Sequence, residues 1–242
     1  MKGIVLAAGK GTRLNSQKEN IPKVLREIND RCLVDYCLDS ISFIKKKDIA
    51  IVIGFQGEKV IEHLGEEYNY CIQDKQLGTA HAAMCTRELF HNCDDDVIII
   101  YGDMPLINMC TLKSMIDKHK ETNADMTILT AVVKNILPYG RIIRDNNKVI
   151  DIIEEKDTDD STRAINELNV GVNVIKLKYL YDGLDSIKNN NAAGEYYLTD
   201  LAKAFVKQGK KVETFTIHNE DEIRGINTVE DLEFAAGILQ KK

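Results

Sequence analysis

The stretch Leu6 to Leu14, LAAGKGTRL, leaves an apolar run through two alanines and two glycines, then offers Lys10 and Arg13. Glycines let backbone N–H groups turn inward and cradle phosphate, and Arg13 adds a forked donor matched to phosphate oxygens. It is neither G-x-x-x-x-G-K-[ST] nor G-x-G-x-x-G, because Arg13 and Leu14 stand where the last glycine would be. On these residues alone a phosphate cradle and an ordinary strand-to-loop turn stand level. Lys23 follows Pro22, whose fixed backbone gives the ammonium a stiff support; taken singly it reads as a surface lysine. Asp103 closes the run DVIIIYGD, where it suits either cation binding through oxygen or the capping of a turn. Gln73 ends the run YCIQ with an amide that both donates and accepts, as reading a base edge requires. Gly78-Thr79 opens a helical stretch whose first N–H groups face whatever precedes them; the plain alternative makes Thr79 a simple cap.

These residues need a frame that carries 6–14, 73–79 and 103 to one edge. Strands are predicted over 3–7, 48–54, 70–73, 96–103 and 126–133. Helices are predicted from the spacing of Leu33, Val34, Cys37, Leu38, Ile41 and Ile44, from VIEHL, from TAHAAMCTRELF and over 111–120. This alternation predicts an α/β fold, a mostly parallel sheet covered on both faces, with ligands at the carboxyl ends of the strands. LAAGKGTRL and Asp103 both sit at such ends. After Leu137 the pattern changes. GRIIRDNNKVIDIIEE reads as a hairpin turning at Asp145-Asn146-Asn147, NVGVNVIKL as a strand and NNNAAGEYY as a loop. LTDLAKAFVKQG then reads as a helix, KVETFTI as a strand and TVEDLEFAAGIL as a closing helix. The expectation is one domain over 1–242, with halves at 1–137 and 138–227, a closing helix at 228–242, and no flexible linker.

A chain of 242 residues with 44% hydrophobic and 29% charged residues has the makings of a real core. Its net charge of −6 argues against a general nucleic-acid or membrane-surface binder. No apolar run approaches transmembrane length, and no basic leader precedes GIVLAA, so a cytoplasmic protein is expected. Cys32, Cys37, Cys71, Cys85, Cys93 and Cys110 form no C-x-x-C pair and no zinc spacing, and are expected to be reduced core thiols.

Together and in this order, LAAGKGTRL, PKVL, QLGTAHA, YGDMPLI, YGRIIRD, IIEEKD, NELNVGV, NNNAAGEYYLTDL and GINTVEDL carry a family resemblance. The chain resembles the sugar-phosphate nucleotidyltransferases over nearly its whole length. Within them it is most similar to the N-terminal uridylyltransferase domain of the bacterial N-acetylglucosamine-1-phosphate uridylyltransferases. Single motifs are shared across the larger family, whereas NNNAAGEYYLTD and YGRI belong to the narrower branch. The resemblance implies a Rossmann-like mixed sheet of the nucleotide-diphospho-sugar transferase fold, with a small β-rich sugar-binding lobe. It implies conversion of UTP and N-acetylglucosamine 1-phosphate to UDP-N-acetylglucosamine and pyrophosphate, with Mg2+ as cofactor. It puts Arg13 and Lys23 in catalytic roles on the phosphates. It puts Leu6, Ala8, Gly9, Gly11, Thr12, Gln73, Gly78 and Thr79 on the nucleotide. Tyr101, Gly140, Glu154, Asn169, Glu195 and Tyr197 would hold the sugar, and Asp103 and Asn227 the metal. By its own neighbours Asn227 reads as a helix cap, with Glu230 three residues on; the resemblance reverses that.

The chain departs from the branch at NSQKENI, longer than expected before Pro22, and at Val170, where a threonine is expected. Bifunctional members carry a left-handed β-helix acetyltransferase domain after this one. No hexapeptide repeats occur in the 242 residues, so acetyl transfer is not expected of them. Two rival readings stay open: transfer between another nucleotide and another sugar phosphate, such as dTTP or CTP chemistry, and a catalytically silent sugar-nucleotide-binding regulator. The partners expected are small-molecule substrates, with no nucleic acid and no membrane, and the oligomeric state is left open.

Overall fold

Short Val- and Ile-rich runs make the strands, and the polar ends of those runs stop them. The computed structural model describes residues 1–9, 11, 14 and 20–240. The first half holds β1 (Lys2–Leu6), a short hairpin of β2 (Glu27–Ile28) and β3 (Arg31–Cys32), α1 (Leu33–Ser40), β4 (Ile49–Ile53), α2 (Gly57–Leu64) and β5 (Asn69–Ile72). It continues through α3 (Thr79–Met84), α4 (Arg87–Phe90), β6 (Asp96–Tyr101), α5 (Met109–Thr122) and β7 (Met126–Val132). Then follow β8 (Arg141–Asp145), β9 (Lys148–Ile153), α6 (Asp160–Arg163), β10 (Glu167–Lys176), α7 (Leu177–Asp185), α8 (Asp200–Lys207), β11 (Val212–Ile217) and α9 (Val229–Leu239).

Nine strands form one mixed sheet in the order β11-β7-β10-β6-β1-β4-β5, with β8 paired to β10 and β9 to β8. β1 pairs in parallel with both β4 and β6, so Leu6 stands beside Val52 on one side and Tyr101 on the other. That register brings the carboxyl ends of three strands level. β10 enters antiparallel between β6 and β7. Successive strand side chains point to opposite faces, which gives two cores. On one face Val5, Ile51, Ile98 and Ile100 meet Val34, Cys37 and Leu38 of α1 and Leu112 and Met115 of α5. On the other, Ile4, Val52, Val97 and Ile99 meet Ala80 and Ala83 of α3, Leu180 and Leu184 of α7, and Leu201 and Phe205 of α8. Helix α9 closes a smaller cluster through Ala235, against Leu14, Ile28, Leu33 and Leu106.

Some local expectations change. TAHAAMCTRELF does not make one helix but breaks between α3 and α4. The buried Thr86 hydroxyl donates to the Ala83 carbonyl at 2.7 Å and lies 2.9 Å from the Tyr181 hydroxyl, which competes with the helical ladder. Helix α7 is absent from the sequence expectations and carries Gly183 in its interior. A Cβ there would lie 2.5 Å from both Leu201 and Phe205, so the glycine permits α7 to cross α8 closely. The β8–β9 hairpin turns at Asn146 and Asn147, both left-handed at φ 47° and 65°, as a type I′ turn requires. Cys32 and Cys37 are buried, but Cys110 is exposed in the first turn of α5, so it is not a core thiol. None of the described helices is long and apolar enough to cross a membrane.

Candidate active site

The site grows from the level ends of β1, β5 and β6. A cavity of about 340 Å³ is lined by Leu6, Ala8 and Gly9 after β1, by Gln73, Gln76, Gly78 and Thr79 after β5, and by Tyr101 and Asp103 from the β6 end. Lys23 and Glu195 complete it. A second cavity of about 190 Å³ shares Tyr101 and Asp103 with the first and is lined by Gly140, Glu154, Asn169, Val170 and Asn227. Tyr197 lies further out, in a cleft with Glu154, Glu195 and Asn227. Thus Leu6, Ala8, Gly9, Gln73, Gly78 and Thr79 line the first chamber and Gly140, Glu154 and Asn169 the second, and the two meet at Tyr101 and Asp103. Glu195, expected with the sugar set, lines the first chamber and the outer cleft and not the second chamber. Gly11 lines neither chamber among the described residues. Thr12 and Arg13 lie outside the described residues, as do Lys10 and most of NSQKENI.

At the junction stands a buried cation. Lys23 begins the short turn Lys23–Leu25 directly after Pro22, and is 9% exposed. Its ammonium donates to Asp103 Oδ2 and, at 3.0 Å, to Asn227 Oδ1. The surface-lysine reading of Lys23 is therefore wrong. Asp103 and Asn227, both expected as metal ligands, already present oxygens around one positive charge. That donor set suits a hard divalent ion.

Asn227 is not the cap of α9. Thr228 is the N-cap: its hydroxyl accepts from the Asp231 N–H, and Asp231 Oδ2 accepts in return from the N–H of Thr228, completing a capping box. Asp231 also takes the Asn227 N–H at 2.9 Å, which holds the strand-like entry to α9 and leaves the Asn227 side chain for the junction. The box lies one residue later than the Asn227–Glu230 pairing read from the sequence.

The first chamber is held by long-range hydrogen bonds. Gln73 is 4% exposed, and its Nε2 donates to the Gly78 carbonyl at 3.0 Å, so its amide orientation is set and its carbonyl remains as the acceptor. Gln76, which sequence reasoning did not single out although it begins QLGTAHA, donates to the Ala8 carbonyl at 2.9 Å and pins the loop after β1. The start of α3 is less open than expected. The Ala80 N–H goes to the Tyr196 carbonyl at 2.9 Å, the Tyr196 N–H to the Leu77 carbonyl at 2.7 Å, and the Leu198 N–H to the Thr79 hydroxyl at 2.9 Å. Thr79 is thus no cap but an anchor for the loop 189–197. Gly78 has φ +115°, and a Cβ on it would lie 2.4 Å from the Tyr196 carbonyl oxygen. No other residue fits that approach.

The second chamber depends on an irregularity in β10. The register against β7 shifts between Asn169 and Asn173. Within it, the Gly171 N–H donates to Asn169 Oδ1 and the Gly171 carbonyl accepts from Asn173 Nδ2, both at 3.1 Å. Gly171 has φ +92°, and a Cβ would lie 2.8 Å from the Tyr101 ring, so the ring packs directly against backbone. The Asn169 N–H donates to the Gly140 carbonyl at 2.8 Å, which ties the hairpin strand to the chamber floor. Arg141, 1% exposed, braces the same corner through the Tyr139 carbonyl and an ion pair to Glu155 at 2.7 Å. Burial raises the Glu154 carboxyl above the usual range; the Thr199 hydroxyl, donating at 2.9 Å, opposes this. Burial and the nearby Glu154 raise the Tyr101 phenol, with a hydrogen bond to Thr79 acting the other way. Burial likewise pushes Tyr197 up to about 12, and Asp157 and Glu154 add to it.

A sheet edge that presents Gly9, the buried amide of Gln73 and the Lys23 ammonium beside a second polar chamber fits a nucleotidyl-transferring protein. The family model for nucleotidyl transferases matches residues 2–221, and the chain belongs to that family. Among curated relatives, it is 40% identical over 240 residues to Bifunctional protein GlmU of Staphylococcus epidermidis, covering 99% of this chain and 52% of the relative. Bifunctional protein GlmU of Clostridium novyi is 41% identical over 239 residues, 98% of this chain and 52% of the relative. The chain spans about half the length of these relatives. The fold matches that of a UDP-glucose pyrophosphorylase solved with UDP-glucose, with a TM-score of 0.78 at 18% identity over 100% of this chain and 99% of that one.

Proposed function

We propose that the chain transfers a uridylyl group from UTP to N-acetylglucosamine 1-phosphate, giving UDP-N-acetylglucosamine and pyrophosphate. The observation that carries this is the pair of chambers meeting at Tyr101 and Asp103, with Lys23 at the junction. A reaction that joins a nucleotide to a sugar phosphate needs two such chambers with positive charge between them. The acceptor phosphate is already an anion, so its oxygen attacks the α-phosphorus in line without a strong general base, and pyrophosphate leaves. Catalysis is then positioning and charge neutralisation.

The chain's residues divide that work. The Gln73 carbonyl accepts the N3–H of uracil; cytosine, whose N3 is an acceptor, meets repulsion there. Lys23 brings its ammonium to the transferred phosphate, and Arg13 adds a second cation. Asn169 and Glu154 orient the sugar by hydrogen bonds, with Glu195 and Tyr197 at the outer rim. Asp103 and Asn227 are the residues that would hold Mg2+, which when bound supplies positive charge to the phosphate oxygens. Six unpaired cysteines suit a reducing cytoplasm.

The test is pyrophosphate release measured across a grid of nucleoside triphosphates and sugar 1-phosphates. UTP with N-acetylglucosamine 1-phosphate is expected to turn over fastest. A site that requires a buried hydrogen bond rejects the wrong partner by up to about 10⁴–10⁵. Thymine differs only by a methyl, so dTTP is the nearest competitor. Equal turnover of CTP and UTP overturns the base assignment, and faster glucose 1-phosphate overturns the sugar. No release in any combination points instead to a silent regulator.

A further inference from the structure

Away from both chambers, Cys32, Asp35 and His63 converge where β3 runs into α1 and meets α2. One thiol sulfur, one carboxylate oxygen and one imidazole nitrogen lie within 4.8 Å of one another. His63 Nε2 sits 3.0 Å from both oxygens of Asp35. Among the described residues no Lys or Arg is paired with that carboxylate. We propose that this cluster is a zinc site, separate from the cation site at Asp103.

The chemistry of the donor set carries the assignment. A thiolate, an imidazole and a carboxylate are zinc's usual ligands, whereas Mg2+ demands oxygen and is disfavoured by sulfur. Tetrahedral zinc with ordinary bond lengths holds such atoms about 3.3–3.6 Å apart, so the sulfur has to close in while His63 and Asp35 part slightly from 3.0 Å. Thiolate and carboxylate together cancel the charge of the ion. Three protein ligands leave a fourth place for water, and the access route is open: the side chains of His63 and Asp35 are 36% and 22% exposed, while Cys32 is buried. On binding, the Cys32 S–H bond breaks as an S–Zn bond forms, and that proton leaves to solvent; His63 gives up the Nε2 proton it directs at Asp35 and, by exchange with solvent, carries its one proton on Nδ1, which frees Nε2 and the Asp35 carboxylate for the ion.

The same three residue types could instead make a nucleophilic triad. In such a triad His63 would take the thiol proton, but its Nε2 faces the Asp35 carboxylate, and among the described residues no hydrogen bond joins it to the sulfur. The thiol now rests 3.5 Å from the Leu25 carbonyl, and Leu25 closes the turn that begins at Lys23. An ion here would link α1 to α2 and brace the segment that carries Lys23.

The test uses the untagged 242-residue chain in a reducing, non-chelating buffer, with Zn2+ and Co2+ as probes. One Zn2+ per chain is expected in competition with a chromophoric chelator, undisturbed by excess Mg2+. Co2+ is expected to give a thiolate charge-transfer band. His63→Ala and Asp35→Asn should each weaken Zn2+ at least about tenfold. Cys32→Ser should remove the Co2+ band, and Cys110→Ser, at the exposed thiol, should leave it. Free Zn2+ at about a hundred times its Kd should raise Tm by roughly 5–10 °C in the unmodified chain and not in His63→Ala. His63 is a surface residue, so that variant reads the site even if Cys32→Ser folds poorly. No Zn2+ binding, binding unchanged in His63→Ala, or a band lost with Cys110 instead of Cys32 overturns the proposal.

Discussion

Asp103, Asn227 and Glu154 carry the consequences that a single side chain can test. Asp103→Asn keeps an oxygen for the Lys23 ammonium, so the fold should survive, while turnover should fall by roughly 10²–10³ if charge at the junction is what is lost. Asn227→Ala should also lose turnover, and part of the loss should return at high Mg2+. Because Thr228 and not Asn227 caps α9, its melting temperature should stay near that of the unmodified chain. A lowered melting temperature with an unchanged magnesium response would remove Asn227 from the metal site. Glu154 tests pH dependence. Its folded-state pKa is raised chiefly by burial, so the folded chain holds a proton that the unfolded chain has released. Stability should therefore fall as pH rises from the ordinary carboxylate value through the raised one, with the penalty fully present above it. Glu154→Gln does not titrate and can still accept from Thr199. It should melt above the unmodified chain at neutral pH and equal to it in acid. Melting curves across pH check the sign, and a parallel offset at every pH would contradict it.

At the scale of elements, the contact that matters most is the one between the start of α3 and the loop 189–197. Gly78→Ala puts a methyl into the Tyr196 backbone at a φ that alanine rarely adopts. The expected cost is at least about 1–3 kcal/mol, from backbone strain and the forced shift. It should be read as a lower urea midpoint with an unchanged slope. Displacing the loop also moves Glu195 from the first chamber, so residual enzyme should show a raised KM for nucleotide. An unchanged urea midpoint would mean that the loop yields freely and does not shape the chamber. The irregular stretch of β10 works in the same way: two asparagines hold Gly171 so that Tyr101 lies against bare backbone.

For the molecule as a whole, the sheet order sets the unit of folding. β10 lies between β6 and β7, and β11 pairs with the far side of β7. The first half therefore contributes two strands whose shared neighbour comes from the second half. A fragment of residues 1–137 would expose both edges of β7 and one of β6, each apolar and long enough to pair with other chains. It should show no cooperative thermal transition by circular dichroism, and the full chain should show one. A fragment that unfolds cooperatively would make the two halves separate domains.

Much of this was legible in the residues themselves. Runs such as IAIVI and DVIIIY are local signals, and alternation of strand and helix set the carboxyl edge where Gly9, Gln73 and Asp103 gather. Asn146-Asn147 announced its hairpin because two left-handed residues are needed and asparagine tolerates them. The motifs carried the family. Other features depend on residues that meet only after folding. Lys23 reads as a surface lysine until Asn227, 204 positions away, comes beside it. Thr79 reads as a cap until Leu198 donates to it, and the part Gly183 plays in α7 emerges only where α8 packs on it. The insertion of β10 between two first-half strands leaves no trace in local periodicity, since that pattern records which face of a strand is apolar and not which strand lies beside it. Thus the sequence by itself determined the strand-and-helix rhythm and the edge that bears the candidate site. Tertiary packing decided which distant side chains share that edge, because the energy of a buried charge, a hydrogen bond or a close backbone approach depends on partners that local sequence does not contain.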